Sequence, residues 1–288
     1  MNELADQRQQ IRQAFARASK SYDAAAILQR EVLRRLSERL VDLGLQPERI
    51  LDIGAGTGSG IRELKKLYRR ATLVGMDFAL PMLQQLRSNS GIWRKPLTVC
   101  ADAHNLPFAN NSFDLVFSSL TFQWCDDLPK VLAESRRVLA GEGVLLFATL
   151  GPDTLSELRS AWAAVDQSPH VNMFTDMHII GDALLQAGFK NPVLDVERIV
   201  LSYASVKQLL LEIKALGANT VIAPTRKTGL MGRQRFLKMQ QAYQQFALEN
   251  GHYPASFEVV FGLAWQSEKQ TEPGVAPISF VPPDTLRK

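Results

Sequence analysis

The segment from Leu51 to Ser59, Leu-Asp-Ile-Gly-Ala-Gly-Thr-Gly-Ser, constrains the fold of this chain more than any other. It begins as an apolar strand and continues into a turn with glycine at every second position, Gly54, Gly56 and Gly58. Glycine has no Cβ, so it adopts positive φ and lets a ligand approach the backbone closely. A helix is predicted next, from Gly60 to Tyr68. The order strand, glycine turn and helix predicts a nucleotide-type ligand site at the carboxyl end of a strand.

Predicted strands and helices continue to alternate along the chain as far as residue 150. The predicted strands are Ile50–Gly54, Thr72–Asp77, Leu97–Ala101, Phe113–Ser118 and Val144–Thr149. A turn is predicted over Ala140–Gly143, just before the fifth strand. Such alternation predicts an α/β fold with a doubly wound, mostly parallel sheet that helices cover on both faces.

The N-terminal segment is predicted to form two amphipathic helices. Apolar residues recur at helical spacing at Ile11, Phe15 and Ala18, and again at Leu28, Val32, Leu36 and Leu40. Cap-type residues between Ser19 and Asp23 indicate a break between the helices. We therefore expect residues 1–46 to form a helical lid and residues 47–150 to form the ligand-binding core.

The alternation changes after residue 150. Helices are predicted over Thr154–Val165, Asp176–Ala187, Ser205–Leu216 and Arg233–Leu248, and strands over Val193–Leu201 and Phe257–Trp265. We expect residues 151–266 to complete a seven-stranded sheet and to add helical insertions, near the C-terminus, that cap the substrate. The tail, residues 267–288, is rich in proline and polar residues and is expected to lack fixed structure.

Composition limits the partners and the location. The formal net charge of +4 is compatible with an acidic partner but too small to indicate nucleic acid by itself. No run approaches the ~20 apolar residues that span a bilayer. Cys100 and Cys125 have no metal-site or redox spacing, and both are expected to be small buried hydrophobic residues, with no metal bound. These features predict a cytoplasmic protein, compatible with a monomer, that binds neither membrane nor nucleic acid.

Three acidic residues indicate the chemistry of the ligand. Asp77 ends the second strand about 20 residues beyond the turn, where an acid accepts hydrogen bonds from a ribose diol; a helix cap is its alternative role. Asp102 closes the third strand, where a carboxylate can accept from an adenine amino group. Asp52 lies two residues before the first glycine, and it suits a cationic group better than a pyrophosphate. Electrostatics therefore favour S-adenosylmethionine over the NAD of a dehydrogenase.

This set of motifs resembles the class I S-adenosylmethionine-dependent methyltransferases over roughly residues 48–150. The resemblance implies a Rossmann-like fold and S-adenosylmethionine as cofactor. It places the following residues around the cofactor: Asp52, Gly54, Ala55, Gly56, Gly58, Asp77, Phe78, Asp102, Ala103, Ser118 and Ser119.

The flanking segments resemble the malonyl-[acyl-carrier protein] O-methyltransferases of biotin synthesis, over about residues 11–266. The segments that carry this likeness are Phe15–Gln29, Leu120–Cys125, Thr149–Leu155, His170–Phe174, Asp176–His178 and Arg226–Gly232. The resemblance implies methyl transfer to the free carboxyl of a malonyl thioester, carried by acyl-carrier protein or coenzyme A. A carboxylate is already an anion at neutral pH, so this reaction needs no general base.

Candidate residues for the reaction lie in the same flanks. Tyr22, Phe174 and Asp176 are the candidate catalytic residues, with Tyr22 first because it sits at the hinge between the two N-terminal helices. Packed aromatic rings and a helix cap are the alternative roles for these three. Basic residues that could grip the substrate carboxylate or an acidic carrier are Arg226, Arg233 and Arg235. A solvated basic face is the alternative interpretation of that cluster.

Three other functions remain open from the sequence. A related protein of the same fold could act as an assembly factor or protein hydroxylase, as a methyltransferase of another small molecule, or as a binding module without catalysis. The intact acids and glycines argue against a decayed site. The chain has no Asn-Pro-Pro-Tyr motif and no strong basic tract, which disfavours nucleic-acid methylation.

Overall fold

The alternating elements assemble into one sheet with helices on both faces. A computed structural model describes residues 2–91, 95–218 and 232–267. Its strands are β1 (Arg49–Ile53), β2 (Thr72–Asp77), β3 (Leu97–Cys100), β4 (Phe113–Ser119), β5 (Leu139–Leu150), β6 (Lys190–Tyr203) and β7 (Tyr253–Trp265). Its helices are α1 (Asn2–Ala18), α2 (Tyr22–Ala25), α3 (Ile27–Asp42), α4 (Ser59–Leu67), α5 (Leu80–Asn89), α6 (Leu128–Val138), α7 (Ser156–Ala163), α8 (Met177–Gln186), α9 (Val206–Ala215) and α10 (Arg233–Tyr243).

The strand order confirms the predicted fold class. The seven strands described follow the order β3-β2-β1-β4-β5-β7-β6. Neighbours from β3 through β5 are parallel, and β7 pairs antiparallel with both β5 and β6. The chain winds outward from β1 to one edge and returns to β4 on the other side. A crevice at the carboxyl ends of β1 and β4 is therefore the expected ligand position in such a sheet.

Alternate residues of each strand feed two separate apolar cores. In β5, Val144 and Leu146 pack on one face while Leu145 and Phe147 pack on the other. The first core also contains the apolar stripe of α3, and the second contains that of α6. Because both faces are covered, the central strands are mostly apolar, with Asp52 of β1 and Ser118 of β4 as buried polar exceptions.

Two segments differ from the sequence prediction. Residues 140–143, predicted as a turn, belong to β5, where the register against β4 shifts between Phe113 and Leu115 and Glu142 has a φ of 63°. β6 is longer than predicted and begins at Lys190, although Pro192 follows. An edge strand tolerates proline because one row of its N–H groups has no partner, and the register shift between Lys190 and Val193 lies at this proline.

The remaining helices lie close to their predicted positions. The break between the N-terminal helices is confirmed and contains the single turn α2. The helix predicted to run to Leu248 ends as α10 at Tyr243 and continues as a 3-10 turn, Gln244–Phe246. Arg226 and the tail from residue 268 lie outside the described residues. The division into four regions at residues 46, 150 and 266 stays a prediction.

No helix in the described ranges is long and apolar enough to cross a membrane.

Candidate functional site

A cavity opens where the carboxyl ends of β1, β2 and β4 meet. One side, here called the sheet wall, is formed by Ile53, Gly54, Gly56, Met76 and Asp77. The opposite side, here called the helical wall, is formed by Arg8, Ile11, Phe15 and Tyr22. The rim and floor between them are formed by Phe78, Met82, Ala101, Asp102, Ala103, His104, Ser119, Leu120, Thr121, Trp124 and Cys125.

The glycine turn shapes the sheet wall. Gly54 and Gly56 have φ values of 75° and 52°, a region that side chains with a Cβ rarely adopt. The N–H groups of Gly54 and Ala55 both donate to the carbonyl of Met76, at 2.8 and 2.9 Å, which ties the turn to the end of β2. A Cβ on Gly54 would collide with the side chain of Thr121. The turn therefore leaves bare backbone facing the cavity, as a closely bound nucleoside requires.

Asp77 ends β2 inside the sheet wall. Its carboxylate accepts hydrogen bonds from the N–H groups of Gly56, at 3.0 Å, and Ala79, at 2.8 Å. Burial raises the pKa of Asp77 above its usual range, although these hydrogen bonds pull in the opposite direction. The cavity face of this carboxylate is in position to accept donors from a ligand, as predicted for a ribose diol.

Asp52 lies behind the sheet wall and not in it. The residue is 2% exposed, and its Oδ2 lies 2.7 Å from the position of a Cβ on Gly60, beneath the first turn of α4. This oxygen has no hydrogen-bond partner within the described part of the chain. Burial and then the charge of Asp77 raise the pKa of Asp52 well above its usual range. The raised pKa means that burial disfavours the ionised form of Asp52, and a cationic ligand bound nearby would favour that form.

Asp102 is held at the rim by a histidine that the sequence analysis missed. His104 is buried, and its backbone N–H and Nδ1 lie 2.9 and 2.5 Å from Asp102 Oδ1. Hydrogen bonding to His104 lowers the pKa of Asp102 to about 2. On the other side of the ring, Nε2 lies 2.9 Å from Asp126 Oδ1, without the geometry of a hydrogen bond. Asp102 is therefore ionised and oriented before any ligand arrives.

Arg8 of α1 closes the rim and was also missed. Its Nε donates to Asp126 Oδ1 at 3.0 Å, and its Nη2 donates to Oδ2 of the same carboxylate at 3.0 Å. Its Nη1 reaches Asp102 Oδ2 at 3.5 Å. Because Asp102 Oδ1 is taken by His104, Oδ2 is the oxygen left for Arg8 or for a ligand donor.

An aromatic group joins the helical wall to the rim. The ring of Phe15 lies 6.5 Å from Tyr22, 6.4 Å from Phe78 and 5.3 Å from Trp124, measured between centroids. Desolvation raises the pKa of Tyr22 above its ordinary value, and the charge of Asp77 adds to the shift. Tyr22 lines the cavity and keeps its proton, so its hydroxyl remains a potential hydrogen-bond donor.

A second contact fastens α2 to the glycine turn. Asp23 accepts a hydrogen bond from the hydroxyl of Thr57, and the amide of Asn89 donates to Asp23 at 3.3 Å and to the carbonyl of Thr57 at 3.2 Å. Sequence spacing gives no sign of these pairings.

Several predicted cofactor residues support the cavity without lining it. Ala55 packs in the core, and Gly58, with a φ of 91°, precedes α4. Ser118 is fully buried, and its hydroxyl donates to the carbonyl of Ile53 at 3.0 Å, which links β4 to β1. The predicted residues that do line the cavity are Tyr22, Gly54, Gly56, Asp77, Phe78, Asp102, Ala103 and Ser119.

The other predicted catalytic residues do not line the cavity. Phe174 packs partly buried against the first core. Asp176 is the N-cap of α8, where its carboxylate accepts from the N–H of His178 at 2.8 Å. These hydrogen bonds lower the pKa of Asp176. Its catalytic role and that of Phe174 stay predictions.

The predicted carrier-binding arginines lie on α10. Arg233 is exposed at its start. Arg235 forms an ion pair with Asp166, which also accepts from His170 at 2.9 Å, and His170 stacks on Trp162 with ring centroids 3.8 Å apart. Arg235 thus holds α10 against the end of α7, a role that the sequence did not indicate.

The prediction that both cysteines are buried was wrong for Cys100, which is exposed at the end of β3. Strand β3 is an edge strand, so its outward residues meet solvent. Cys125 is partly buried and lines the cavity. Neither is in a disulfide.

The hydrogen-bonding groups and charge of the cavity suit S-adenosylmethionine. Bare backbone at Gly54 and Gly56 admits a nucleoside, while Asp77 and Asp102 present acceptors to it. Behind them lies the buried carboxyl of Asp52, whose Oδ2 has no hydrogen-bond partner among the described residues, and a sulfonium or ammonium group would favour its ionised form.

Known proteins similar to this chain carry methyltransferase names. The profile of the family described as "Methyltransferase domain" matches residues 51–147. A malonyl-[acyl-carrier protein] O-methyltransferase from Gallionella capsiferriformans is 47% identical over 92% of this chain and 93% of the relative. Another of the same name, from Halorhodospira halophila, is 45% identical over 88% of this chain and 86% of the relative.

Solved structures share the fold at low sequence identity. The YcgJ protein of Bacillus subtilis matches with a TM-score of 0.58 and 16% identity, over 82% of this chain and 100% of that one. The Haemonchus contortus phosphoethanolamine N-methyltransferase 2, solved with S-adenosyl-L-methionine, matches with a TM-score of 0.53 and 19% identity, over 87% of this chain and 57% of that one. These likenesses support the Rossmann-like methyltransferase fold.

Proposed function

The chain belongs to the malonyl-[acyl-carrier protein] O-methyltransferase family, and from this premise we propose that it methylates the free carboxylate of a malonyl thioester. It is an S-adenosylmethionine-dependent methyltransferase. The thioester is carried by an acyl-carrier protein in this proposal, and the methyl ester enters biotin synthesis. The observation that carries the proposal is the cavity, where the carboxyl groups of Asp77 and Asp102, the bare backbone of the glycine turn and Tyr22 meet.

The chemistry divides between the donor and the residues of this chain. When bound, S-adenosylmethionine supplies an electrophilic methyl group on a positively charged sulfur. Asp77 and Asp102 accept hydrogen bonds from the nucleoside, and the glycine turn leaves room for it. The acceptor carboxylate is already ionised at neutral pH, so no residue has to remove a proton. Orientation and exclusion of water therefore supply the rate enhancement.

Tyr22 is the residue that we assign to orientation. It lines the cavity from the helical wall, and its raised pKa keeps the hydroxyl protonated. A hydrogen bond from this hydroxyl to one oxygen of the malonyl carboxylate would leave the other oxygen free to attack. Phe15 packs beside Tyr22 and limits the approach of water.

Aromatic packing alone is the competing role for Tyr22. The ring contact with Phe15 would persist without the hydroxyl. Removal of the hydroxyl alone therefore separates the two roles.

Phe174 and Asp176 remain candidates for the acceptor side of the site. They flank the start of α8 outside the cavity lining, so a role for either requires movement of that segment toward the cavity when the thioester binds. Arg233 remains a candidate for carrier contact because it is exposed. Arg226 lies outside the described residues. A cytoplasmic location is part of the same proposal.

Transfer of a labelled methyl group tests the proposed acceptor. The purified chain is incubated with labelled S-adenosylmethionine and malonyl-carrier, with malonyl-coenzyme A, acetyl-carrier and succinyl-carrier in parallel. We expect label in the malonyl thioesters and none in acetyl-carrier, because acetyl has no free carboxyl. Mild base should release the label as methanol, as expected of a methyl ester. Label in acetyl-carrier, or none in either malonyl thioester, contradicts the proposal.

A further inference from the structure

The outer face of α9 carries an exposed leucine between two lysines. Lys207, Leu211 and Lys214 are spaced i, i+4 and i+7, so they share one face of the helix. Both lysines are exposed, and Leu211 is 55% exposed. Val206 and Leu209, on the opposite face, are buried in the core. The face with the two lysines and Leu211 therefore points outward. An exposed apolar side chain flanked by cations is the composition of a docking surface for an acidic protein.

The charges of this face are not neutralised within the described chain. Neither Lys207 nor Lys214 forms an ion pair with a described residue. The acid of the same helix, Glu212, accepts a hydrogen bond from the hydroxyl of Tyr203 at 2.9 Å instead. By contrast, Arg235 on α10 is already paired with Asp166. The face of α9 therefore has more uncompensated positive charge to offer a partner than that arginine.

The C-terminal end of α9 abuts the helices that close the cavity. The hydroxyl of Ser21 donates to the carbonyl of Ala215 at 3.1 Å. Gly217 has a φ of 70°, and a Cβ there would lie 2.9 Å from the carbonyl oxygen of Ala14 in α1. These are close contacts with backbone, so the end of α9 is fixed against the junction of α1 and α2.

The junction of α1 and α2 contains a further lysine and a residue that lines the cavity. Lys20 is exposed beside Ser21 and has no ion pair with a described residue. Tyr22, two residues later, lines the cavity. A protein seated on the outer face of α9 would therefore lie one helix away from the helical wall, close enough for a flexible prosthetic arm to pass α2.

We propose that Lys207, Leu211 and Lys214, with Lys20 at the end of α1, form the surface on which the acidic carrier protein docks. The inference rests on the proposed function, since a malonyl carrier is the partner that must bring its cargo to this cavity. Leu211 supplies the apolar centre of the contact and the lysines supply its charged rim. Electrostatic complementarity of this kind sets the association rate and its dependence on salt.

The test compares charge reversal on α9 with the same reversal elsewhere. The variant is Lys207→Glu/Lys214→Glu, and Leu211→Ser tests the apolar centre. The matched control is Arg70→Glu/Lys95→Glu, which makes the same change in net charge at exposed residues preceding β2 and β3, at the edge of the sheet opposite the cavity. Each is assayed with malonyl-carrier and with malonyl-pantetheine, which keeps the arm and lacks the protein.

We expect kcat/KM for malonyl-carrier to fall at least about tenfold in the α9 double variant at low ionic strength, and the loss to shrink as salt screens the charges. Leu211→Ser should lower it by about threefold to tenfold with little dependence on salt. Activity with malonyl-pantetheine should stay at the wild-type value. Equal losses in the α9 and control variants, or equal losses with both substrates, would overturn the docking surface.

Binding of fluorescently labelled malonyl-carrier, followed by anisotropy, separates this inference from the proposed function. If the wild type methylates neither substrate, the proposed function fails, and the anisotropy still decides the surface. Weaker binding confined to the α9 variants supports it. Binding equal to that of the control variant, or no binding by the wild type, contradicts it.

Discussion

The two walls of the cavity are held in place by different kinds of contact. In the sheet wall, Gly54 and Gly56 are fixed by backbone hydrogen bonds to the end of β2 and to Asp77. Asp77 itself is buried, while the two glycines are partly exposed where they face the cavity.

The helical wall depends on side chains at the rim. Arg8 is joined to Asp126 and Asp102, and its side chain is 38% exposed. Asp23 joins α2 to the glycine turn through Thr57. Such contacts are screened by salt and are individually weak, so we expect the rim to loosen more readily than the buried side of α1, where Ile11, Ala14 and Ala18 pack.

The difference teaches how the site can be both preformed and accessible. The carboxyl groups of Asp52 and Asp77 lie where backbone hydrogen bonds hold the turn, whereas the ion pairs of Arg8 lie at the partly exposed rim. Substitutions in the sheet wall should therefore change affinity for the cofactor, while substitutions in the helical wall should change the rate of exchange and the orientation of the acceptor.

The largest effect is expected at Asp77 in the sheet wall. Asp77→Ala removes the acceptor for the ribose and the tie to Gly56, so the Kd for S-adenosylmethionine should rise about 100-fold, as expected for loss of two hydrogen bonds to a charged group. Calorimetry with the cofactor and with its demethylated product measures this directly. Asp77→Asn keeps one acceptor and should lose less. An unchanged Kd in the alanine variant would remove Asp77 from the cofactor site.

The second prediction concerns the cost of ionising the buried carboxyl of Asp52 behind the sheet wall. Its pKa is raised in the folded state, so the wild type loses stability as pH rises from the ordinary aspartate value through the raised one. Asp52→Asn does not titrate. The cofactor-free variant should therefore be more stable than the wild type by about 2 kcal/mol at high pH, and the gap should close as pH falls toward 4.

Urea unfolding of both proteins across this pH range measures the difference. The same variant should bind the cationic cofactor more weakly above the raised pKa of Asp52, where the wild-type carboxyl is ionised and the asparagine is not. A variant less stable than the wild type at every pH would show that the Asp52 carboxylate has a stabilising partner after all.

Tyr22 tests orientation by the helical wall. Tyr22→Phe keeps the ring beside Phe15 and removes only the hydroxyl, so kcat for malonyl-carrier should fall about tenfold while the Kd for S-adenosylmethionine stays the same. Single-turnover kinetics and calorimetry give the two quantities. Full activity in this variant would restrict Tyr22 to packing.

Arg8 tests closure by the helical wall. Arg8→Ala removes the contacts with Asp126 and Asp102, so release of the demethylated product should accelerate about fivefold, within the range of partly exposed ion pairs. Stopped-flow fluorescence measures this rate, with Trp124 as a natural reporter because it packs against Phe15. Arg12→Ala, one turn along α1 at an exposed position, is the control and should leave the rate unchanged.

The smallest effect is expected at Asp176, outside both walls. Asp176→Asn keeps a good N-cap and removes the charge, so Tm should not change. Methyl transfer should also stay close to the wild-type rate, because Asp176 does not line the cavity. A large loss of activity at unchanged Tm would instead support the catalytic role predicted from the sequence.

The fold and half of the site follow from local patterns. Strand and helix periods, the glycine turn and an acid in or just after each of the first three strands lie in contiguous segments, and the carboxyl ends of parallel strands share one edge. Gly54, Asp77 and Asp102 could therefore be assigned to the cavity before the structure was known. Local patterns do not give the direction of every side chain. Asp52 and Ser118 were predicted to bind the cofactor, but their side chains point away from the cavity.

The sequence alone determined the sheet and the cofactor turn, because each depends on residues that are close together in the chain. It also determined the family, because the identity to relatives extends over most of the chain. Tertiary structure alone decided what closes the cavity. Arg8 and Asp126 are 118 residues apart, and no spacing rule connects a cation on the first helix with a carboxylate after the fourth strand. The same holds for Arg235, whose ion pair with Asp166 could be assigned only after α10 had packed against α7. Contacts between distant segments depend on how the helices pack, and that packing depends on all the side chains of the core together.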